Sequence, residues 1–435
     1  MTDRLAKFLS VGCGLLLAFG VGVIASEDDL GPNAPVAEAY HETKNLLRNW
    51  RNDLGFAPER VLVPTDQPDR GRMTVHRPDG ATPGYRLISG VSGNKDSRFG
   101  VYLFDEAGRE IHFWPIRYND FTPGEITERN VFQHGMQPLP DGSIVVTFDN
   151  GDAIARIGAC GETLWVTPGR FHHAVDRAYD GTVWAWQGQT PPEEDQDTTF
   201  LSEFMVQLDP EDGSILRRVD LLRDVIVRHG VFGRFALHAA PEPDRIAFQS
   251  DPFHPNDIEV LSPEMADAFP DFAAGDLLIS LRSLNMIAVL DGEDYAVKWS
   301  QIGPWHRQHD PDFQPDGTIS LFDNRMGLGA SRILSVNPDT GAVSTLYEGS
   351  DQDTFYTWQR GSHEILPNGH VVVTETEAGR AFEVDPSGNR IWTFENVFDA
   401  KRNGLVNYAT VLPTTYFEDQ AFTRCGESIA ATQTR

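Results

Sequence analysis

One phrase recurs along this chain and limits what it can fold into: a turn carrying glycine, usually Asp-Gly or Asn-Gly, followed by a short strand of alternating apolar residues. It reads LPDGSIVVTFDN at 139–150, YDGTVWAWQG at 179–188, GDLLISLRS at 275–283, QPDGTISLFDN at 314–324 and LPNGHVVVTET at 366–376. Asp-Gly and Asn-Gly tolerate positive φ and so close tight hairpins, and alternation is the period of a half-buried strand. A second set of turns, LDPEDGSIL, NPDTGAVS and VDPSGNRIW, suits outer hairpins of the same units. Self-similarity on this scale is the mark of a propeller or solenoid, and a propeller blade is a four-stranded antiparallel sheet. The expectation is therefore all-β, a six-bladed β-propeller with units near residues 84–131, 132–171, 172–252, 253–307, 308–361 and 362–412. PPEEDQDTT (191–199) and SPEMADAFPDFAAG (262–275) interrupt the third and fourth units and read as solvated loops.

The ends of the chain differ in character. Arg4 and Lys7 precede eighteen uncharged residues, FLSVGCGLLLAFGVGVIA at 8–25, the pattern of an export signal or membrane anchor. The run exceeds the usual signal-peptide core, so the reading favours an uncleaved anchor with the remainder of the chain periplasmic or extracytoplasmic. Val36, Tyr40, Leu47, Trp50 and Leu54 then mark an amphipathic helix, whose stripe suits packing on the body or pairing with a second chain as a homodimer. The expected organisation is an N-terminal signal or anchor helix (1–30), a juxtamembrane helix and lead-in (31–83), the propeller (84–412) and a C-terminal tail (413–435). Beyond the apolar run only Cys160 and Cys425 remain. An exported compartment permits a disulfide between them, but nothing in the sequence brings them together, and the default expectation leaves them unpaired. A formal net charge of −28 argues against a nucleic-acid partner, since a polyanion would be repelled over most of the exterior. An anionic small molecule would need its own cluster of Arg and His.

Histidines supply such a cluster. His134, His173 and His309 each stand with seven residues between themselves and the turn glycine of their unit, Gly142, Gly181 and Gly317. His254 stands ahead of the insertion in the fourth unit, and His363 lies six before Gly369. Blades are related by rotation about one axis, so residues at equivalent starts of innermost strands converge on a shared channel. Arg282 interrupts an apolar strand and reads either as a blade-edge ion pair or as a cation turned toward that channel. A guanidinium with several imidazoles makes an anion cradle for sulfate, phosphate or carboxylate oxygens, and imidazole adds a nucleophile and a general acid near neutral pH. Two other readings of the same pattern are a ligand-binding or scaffolding propeller without turnover, and a histidine-ligated metal site of a lyase or hydrolase. Arg282 argues against the second, since a cation in the shell disfavours a cation at the centre.

The succession FHHAVDRAYDGTVWAWQ, DPFHPNDIEVL, GDLLISLRSLNMIAVLD with KWSQIGPW, QHDPDF with DGTISLFDN, and LPNGHVVVTE with GRAFEVDPSGNRIWTFE resembles the bacterial arylsulfotransferase family over residues 130–400. The resemblance implies a six-bladed propeller that moves a sulfuryl group from a phenolic sulfate ester to another phenol, by a ping-pong route through a sulfohistidine, with no nucleotide donor and no cofactor or metal. It implies His309 as nucleophile, with His306 the weaker candidate, and His254 as the histidine that binds sulfate and protonates the leaving group. Arg282 matches the family's arginine, and His173, less closely His172, matches a further sulfate-contacting histidine. Trp184, Trp186, Phe253, Trp305 and Phe313 lie beside these elements, either stacking a substrate ring or filling blade cores.

Overall fold

The computed structural model describes residues 60–65, 71–93, 97–122, 128, 131–189, 202–235, 251–350 and 353–425, with the backbone of 240–241 and 246–247. The expected anchor at 8–25, the helix over 36–54 and the insertion at 191–199 lie outside the described residues. Among the described residues no helix is long and apolar enough to cross a membrane.

The glycine turns do what their sequence requires. In the second sheet Gly142 N donates to Leu139 O (3.0 Å), Leu139 N donates to Ser143 O (2.8 Å), and Asp141 Oδ1 accepts from Ser143 N and Oγ. Gly142 sits at φ +86°, the left-handed region that costs other residues most, and a Cβ there would approach Ala421 to 3.0 Å. Beside Gly181 and Gly317, Thr182 and Thr318 donate in the same way, through N and Oγ1, to Asp180 and Asp316. Each turn fixes the register of the strands it joins.

These hairpins extend into antiparallel sheets taken in chain order. The first pairs Val406–Leu412, Tyr85–Val91, Phe99–Phe104 and Glu110–Ile116, and the second Phe132–Pro138, Ile144–Asp149, Ala153–Ile157 and Thr163–Pro168. The third is Arg170–Arg177 to Ile215–Asp220, the fourth Pro255–Val260 to Val297–Ile302, and the fifth His309–Phe313 to Val343–Tyr347, each of four strands. The sixth runs from Ser362–Ile365 to Arg390–Glu395 and gains Met73–Val75 as a fifth strand. Leading strands of successive sheets lie against one another, and Val406–Leu412 lies against both Phe132–Pro138 and Ser362–Ile365, so the series closes on itself. Apolar clusters fill the spaces between neighbouring sheets. Trp114, Trp186 and Trp392 are fully buried there, and their indole N–H groups donate to Gly142 O (2.8 Å), Asp257 O (2.9 Å) and the Glu383 carboxylate. An unsatisfied indole in such a place would cost about 1–3 kcal/mol.

Five of the six innermost strands carry a bulge, between Gln133 and Met136, His172 and Val175, Pro255 and Asp257, His309 and Asp312, and at Asn407 of Val406–Leu412. An extra residue shifts the alternation, so side chains three apart can face one side of the strand. This repeated irregularity positions the site.

Several expectations are corrected. Val406–Leu412 belongs to the first sheet rather than the sixth unit, because it completes the edge of Tyr85–Val91. Residues 413–425 dock rather than trail: Phe417 and Phe422 are buried beside Trp114, and Cys425 is bonded to Cys160 with Cα atoms 5.2 Å apart. The two cysteines are thus paired, across 265 residues, a bond that the sequence permitted but did not indicate. In the 262–275 insertion Phe269 and Phe272 are buried against Phe313, so that loop is partly core. Arg282 does not interrupt a strand but starts the 3-10 turn Arg282–Leu284 between Leu277–Leu281 and Met286–Leu290.

Candidate active site

A cavity of about 340 Å³ opens where the third and fourth sheets meet the second, lined by His134, His172, His173, His254, Arg282 and Arg360, with Asp149, Glu203 and Asp251 among its carboxylates. Ring centroids of His134 and His173 lie 4.4 Å apart, those of His173 and His254 5.0 Å, and those of His172 and His173 5.0 Å. Residues as distant in sequence as 134 and 254 therefore meet. His173 and His254 hold positive φ, +57° and +47°, conformations uncommon outside glycine that recur where function demands them.

Each of three histidines has a carboxylate of its own. Asp149 Oδ1 faces His134 Nδ1 at 3.0 Å, Glu203 Oε2 faces His172 Nε2 at 3.0 Å, and Asp251 Oδ2 accepts a hydrogen bond from His254 Nδ1. Burial opposes the charged form of His172, but the carboxylates of Glu203, Asp149 and Asp251 together outweigh it and raise this imidazole above its ordinary value. The Nδ1 atoms of His172 and His173 stand 2.7 Å apart. Burial and the neighbouring histidines push His173 well below the ordinary imidazole range, so it accepts there and His172 donates. Burial works against ionisation of Asp149 and Asp251 too, yet His134 holds the first and His254 the second below the usual carboxylate range.

Arg282 Nη1 donates to His254 Nε2 (2.8 Å), while its Nε is buried without a partner. A guanidinium only donates, so His254 presents a lone pair to Arg282 and its proton to Asp251. Burial, with Arg307 adding to it, lowers Arg282 to about 10, which leaves it charged at neutral pH. Arg360 lies over the Phe132 ring, its Cζ 4.4 Å from the centroid.

His309 lies in a second, adjoining cavity that His134 and His173 also line. It is 4% exposed, and burial followed by the Arg282 charge pushes it well below the ordinary imidazole range. Asn324 Nδ2 donates to Thr357 O (2.8 Å) and to Arg360 O, which turns Asn324 Oδ1 toward His309 Nδ1 at 2.7 Å. An amide oxygen can only accept, so the proton of His309 sits on Nδ1, where Arg307 O also lies at 3.1 Å. The lone pair is left on Nε2, which is buried and has no hydrogen-bond partner.

His172, His173, His254 and Arg282 thus line one cavity, and His309 lines the next. His306 is exposed and lines neither. His363 departs from the expected position: its strand has no bulge, its Nδ1 meets Asp310 (3.0 Å), and its Nε2 meets Ser320 Oγ (2.8 Å). Trp184, Trp186, Phe253, Trp305 and Phe313 are all buried, line neither cavity and serve as core. The residues missed are Asp149, Glu203, Asp251, Asn324 and Arg360. One signal was available: Asp149 and Asn324 both stand seven residues after a turn glycine, opposite the histidine that stands eight before it.

The family model described as arylsulfotransferase (ASST) matches residues 135–397, more than half of the chain. The chain belongs to this family. No curated protein matches it. Among solved structures it is similar to a protein of unknown function from Bacteroides caccae (10% identity, covering 72% of this chain and 94% of that one, TM-score 0.47). It is also similar to TolB from Acinetobacter baumannii (14%, 76% and 67%, TM-score 0.45) and to virginiamycin B lyase from Staphylococcus aureus (12%, 60% and 69%, TM-score 0.34). At these TM-scores the likenesses carry no functional information. Family membership supports aryl sulfotransfer in general, and the arrangement of His309, His254 and Arg282 bears on how this arylsulfotransferase would perform it.

Proposed function

We propose that this chain is a nucleotide-independent aryl-sulfate sulfotransferase working by a ping-pong route through His309, and that the six sheets of four or five strands are the blades of a propeller around the two cavities. The observation that carries this reading is the buried Nε2 lone pair of His309, left unpartnered beside a cluster of cationic and hydrogen-bonding groups. A neutral imidazole is a nucleophile, and one held neutral by burial and by Arg282 needs no prior deprotonation.

The first transfer forms a bond from His309 Nε2 to sulfur and breaks the bond from sulfur to the aryl oxygen. His309 Nδ1 keeps its proton on Asn324 Oδ1, which stabilises the imidazolium-like product. The sulfuryl oxygens gather negative charge in the transition state, and Arg282, whose Nε is free, with His173 supplies fixed donors for it. As Arg282 turns to the sulfate, His254 Nε2 loses its partner, takes up a proton from water in the first turnover and from the previous acceptor phenol in later ones, with Asp251 as counter-charge, and delivers it to the departing phenolate. A phenol acceptor then gives its proton to His254 and attacks sulfur, breaking the bond to nitrogen and restoring His309. The donor is a small aromatic sulfate ester, and the setting is extracytoplasmic, with the run at 8–25 as anchor.

The test is incubation with 4-nitrophenyl sulfate and phenol, without nucleotide. Release of 4-nitrophenol is expected, together with one SO₃ group on the peptide containing His309 after brief exposure to donor alone. Failure to release 4-nitrophenol with every phenolic acceptor would instead favour a ligand-binding propeller.

A further inference from the structure

The second cavity, about 140 Å³, has a different chemistry from the first. Asp176, Asp257, Glu259, Asp310 and Asp312 line it, and neither Arg nor Lys is among its lining residues. Sulfuryl transfer calls for cations around an anion, so it gives these carboxyl groups no task.

A cluster of acids alone would say little, but two amides in the same wall point the same way. Asn256 and Asn407 line the cavity and are 4% and 6% exposed. Asn256 Nδ2 donates to Gln308 O (2.8 Å), and Asn407 Nδ2 donates to Gln133 O and Oε1 (2.5 Å each). Those bonds settle which amide atom is nitrogen. They leave both Oδ1 atoms buried with no donor, a state that costs about 1–3 kcal/mol per group unless something answers it. Hard oxygen acceptors without proton donors, beside carboxylates without ammonium or guanidinium partners, are the ligand set of a hard divalent cation.

The strands hold these oxygens in place by one device. His173 and Asp176, His254 and Asp257, and His309 and Asp312 are each three residues apart, and each pair spans a bulge. Strict alternation would set the two members on opposite sides of the strand; with one extra residue in the second and third pairs, and two in the first, both members line the cavities. Asp310 accepts from His363 N and Nδ1, which orients one carboxylate from behind, and Asp310, Asp312 and His363 each bring a donor atom within 4.8 Å of the others. Both nitrogens of His363 are engaged, so it acts as a support and not as a ligand.

We propose that this cavity binds one divalent cation of the Ca²⁺ class through carboxylate oxygens of Asp257, Asp310 and Asp312 and the amide oxygens of Asn256 and Asn407. Ca²⁺ accepts six to eight oxygens in irregular geometry, whereas Mg²⁺ demands an octahedron and keeps several waters. The inference does not rest on sulfuryl transfer and survives if that reading fails.

The test uses the full chain, stripped with EGTA and desalted, then titrated with CaCl₂ by calorimetry and thermal unfolding. One equivalent of Ca²⁺ and a rise in Tm are expected, with a smaller response to MgCl₂. Asp257→Asn and Asp312→Asn should each weaken Ca²⁺ binding by about tenfold or more while leaving the circular dichroism spectrum unchanged. Tb³⁺ luminescence reads the unaltered chain: emission sensitised by Tyr408, which lines the cavity, and by Trp186, whose indole donates to Asp257 O, should be displaced by Ca²⁺. No Ca²⁺ bound at millimolar concentration, no sensitised emission, or binding unchanged in both Asp variants would overturn the proposal.

Discussion

In the histidine cavity, carboxylates and bases are matched: Asp149 with His134, Glu203 with His172, Asp251 with His254. In the acidic cavity next to it, carboxyl groups face one another. Asp257, Glu259 and Asp312 are pushed well above the ordinary carboxylate range by burial and by their neighbours' charges. Both cavities draw on the same leading strands, and the bulge after each histidine separates one chemistry from the other. The lesson is that sign, rather than shape, divides this channel: one compartment gathers Arg and His, and the other gathers carboxyl groups. His309 lines the acidic cavity at its junction with the other, beside His134 and His173 that line both, and has Asn324 and not a carboxylate as its partner.

The sharpest way to break this contrast is to remove the junction. His309→Ala should lower 4-nitrophenol release by about four orders of magnitude, as loss of a nucleophile does, and leave no sulfated peptide. Substituting His306, exposed and outside both cavities, should leave the rate unchanged within about twofold, since it touches nothing that reacts. If the two variants fell alike, the buried lone pair would not be the reacting atom.

Arg282→Ala comes next. It takes away a cationic donor for charge that builds up on the sulfuryl oxygens, and the expected loss is about 10²–10³ in kcat with a smaller change in KM. Arg282→Lys should recover only part of the rate, because a point charge does not reproduce the guanidinium fork. A change confined to KM would mean that Arg282 binds the ground state alone.

The histidines and their convergence were legible in the sequence because a repeat with a fixed turn repeats its geometry: the offset to Gly142, Gly181 and Gly317 found His134, His173 and His309. His363 was misread, since its strand lacks the bulge that turns the others inward. Asp251 and Glu203 could not be found by offset, for they come from outside the repeated phrase. The Cys160 to Cys425 bond depended on how residues 413–425 dock, which no local pattern encodes. The acidic cavity was written in the sequence as His-x-x-Asp in three strands, but strict alternation would place the two members on opposite faces, and only the bulges show otherwise.

Asn324→Asp tests what the junction owes to a neutral partner. It would give His309 the kind of partner that His134 has in Asp149, so the imidazole would hold its proton to higher pH. In the native chain His309 is depressed well below 6.5, and the acid limb of kcat/KM should lie correspondingly low. In Asn324→Asp that limb should move upward, with the rate lower at pH values near 6 and partly restored at higher pH. Asn324→Ala should lower kcat by about tenfold to a hundredfold at every pH, because the tautomer is no longer fixed. A merely structural role for Asn324 would change Tm without moving the limb.

The smallest expected effect is on stability, and it has opposite signs in the two cavities. Asp149 and Asp251 are depressed, so the stability they add is present above the unfolded value near 4 and fades as pH falls below it. On the acidic side burial raises Asp176 to about 6, and Glu364, close enough to feel Asp310, to about 7. A raised carboxyl favours folding while it is protonated, and that contribution is lost as pH climbs from about 4 through the folded value. With EGTA present, Tm should therefore be higher at about pH 5.5 than at about pH 8. His172, raised above its ordinary value, pulls in the same direction, so the comparison needs Glu364→Gln, which should flatten the slope by removing one of the groups responsible. If Glu364→Gln kept the native slope, Glu364 would not be among the groups responsible, and the pH dependence would belong to His172 and the carboxyl groups that remain.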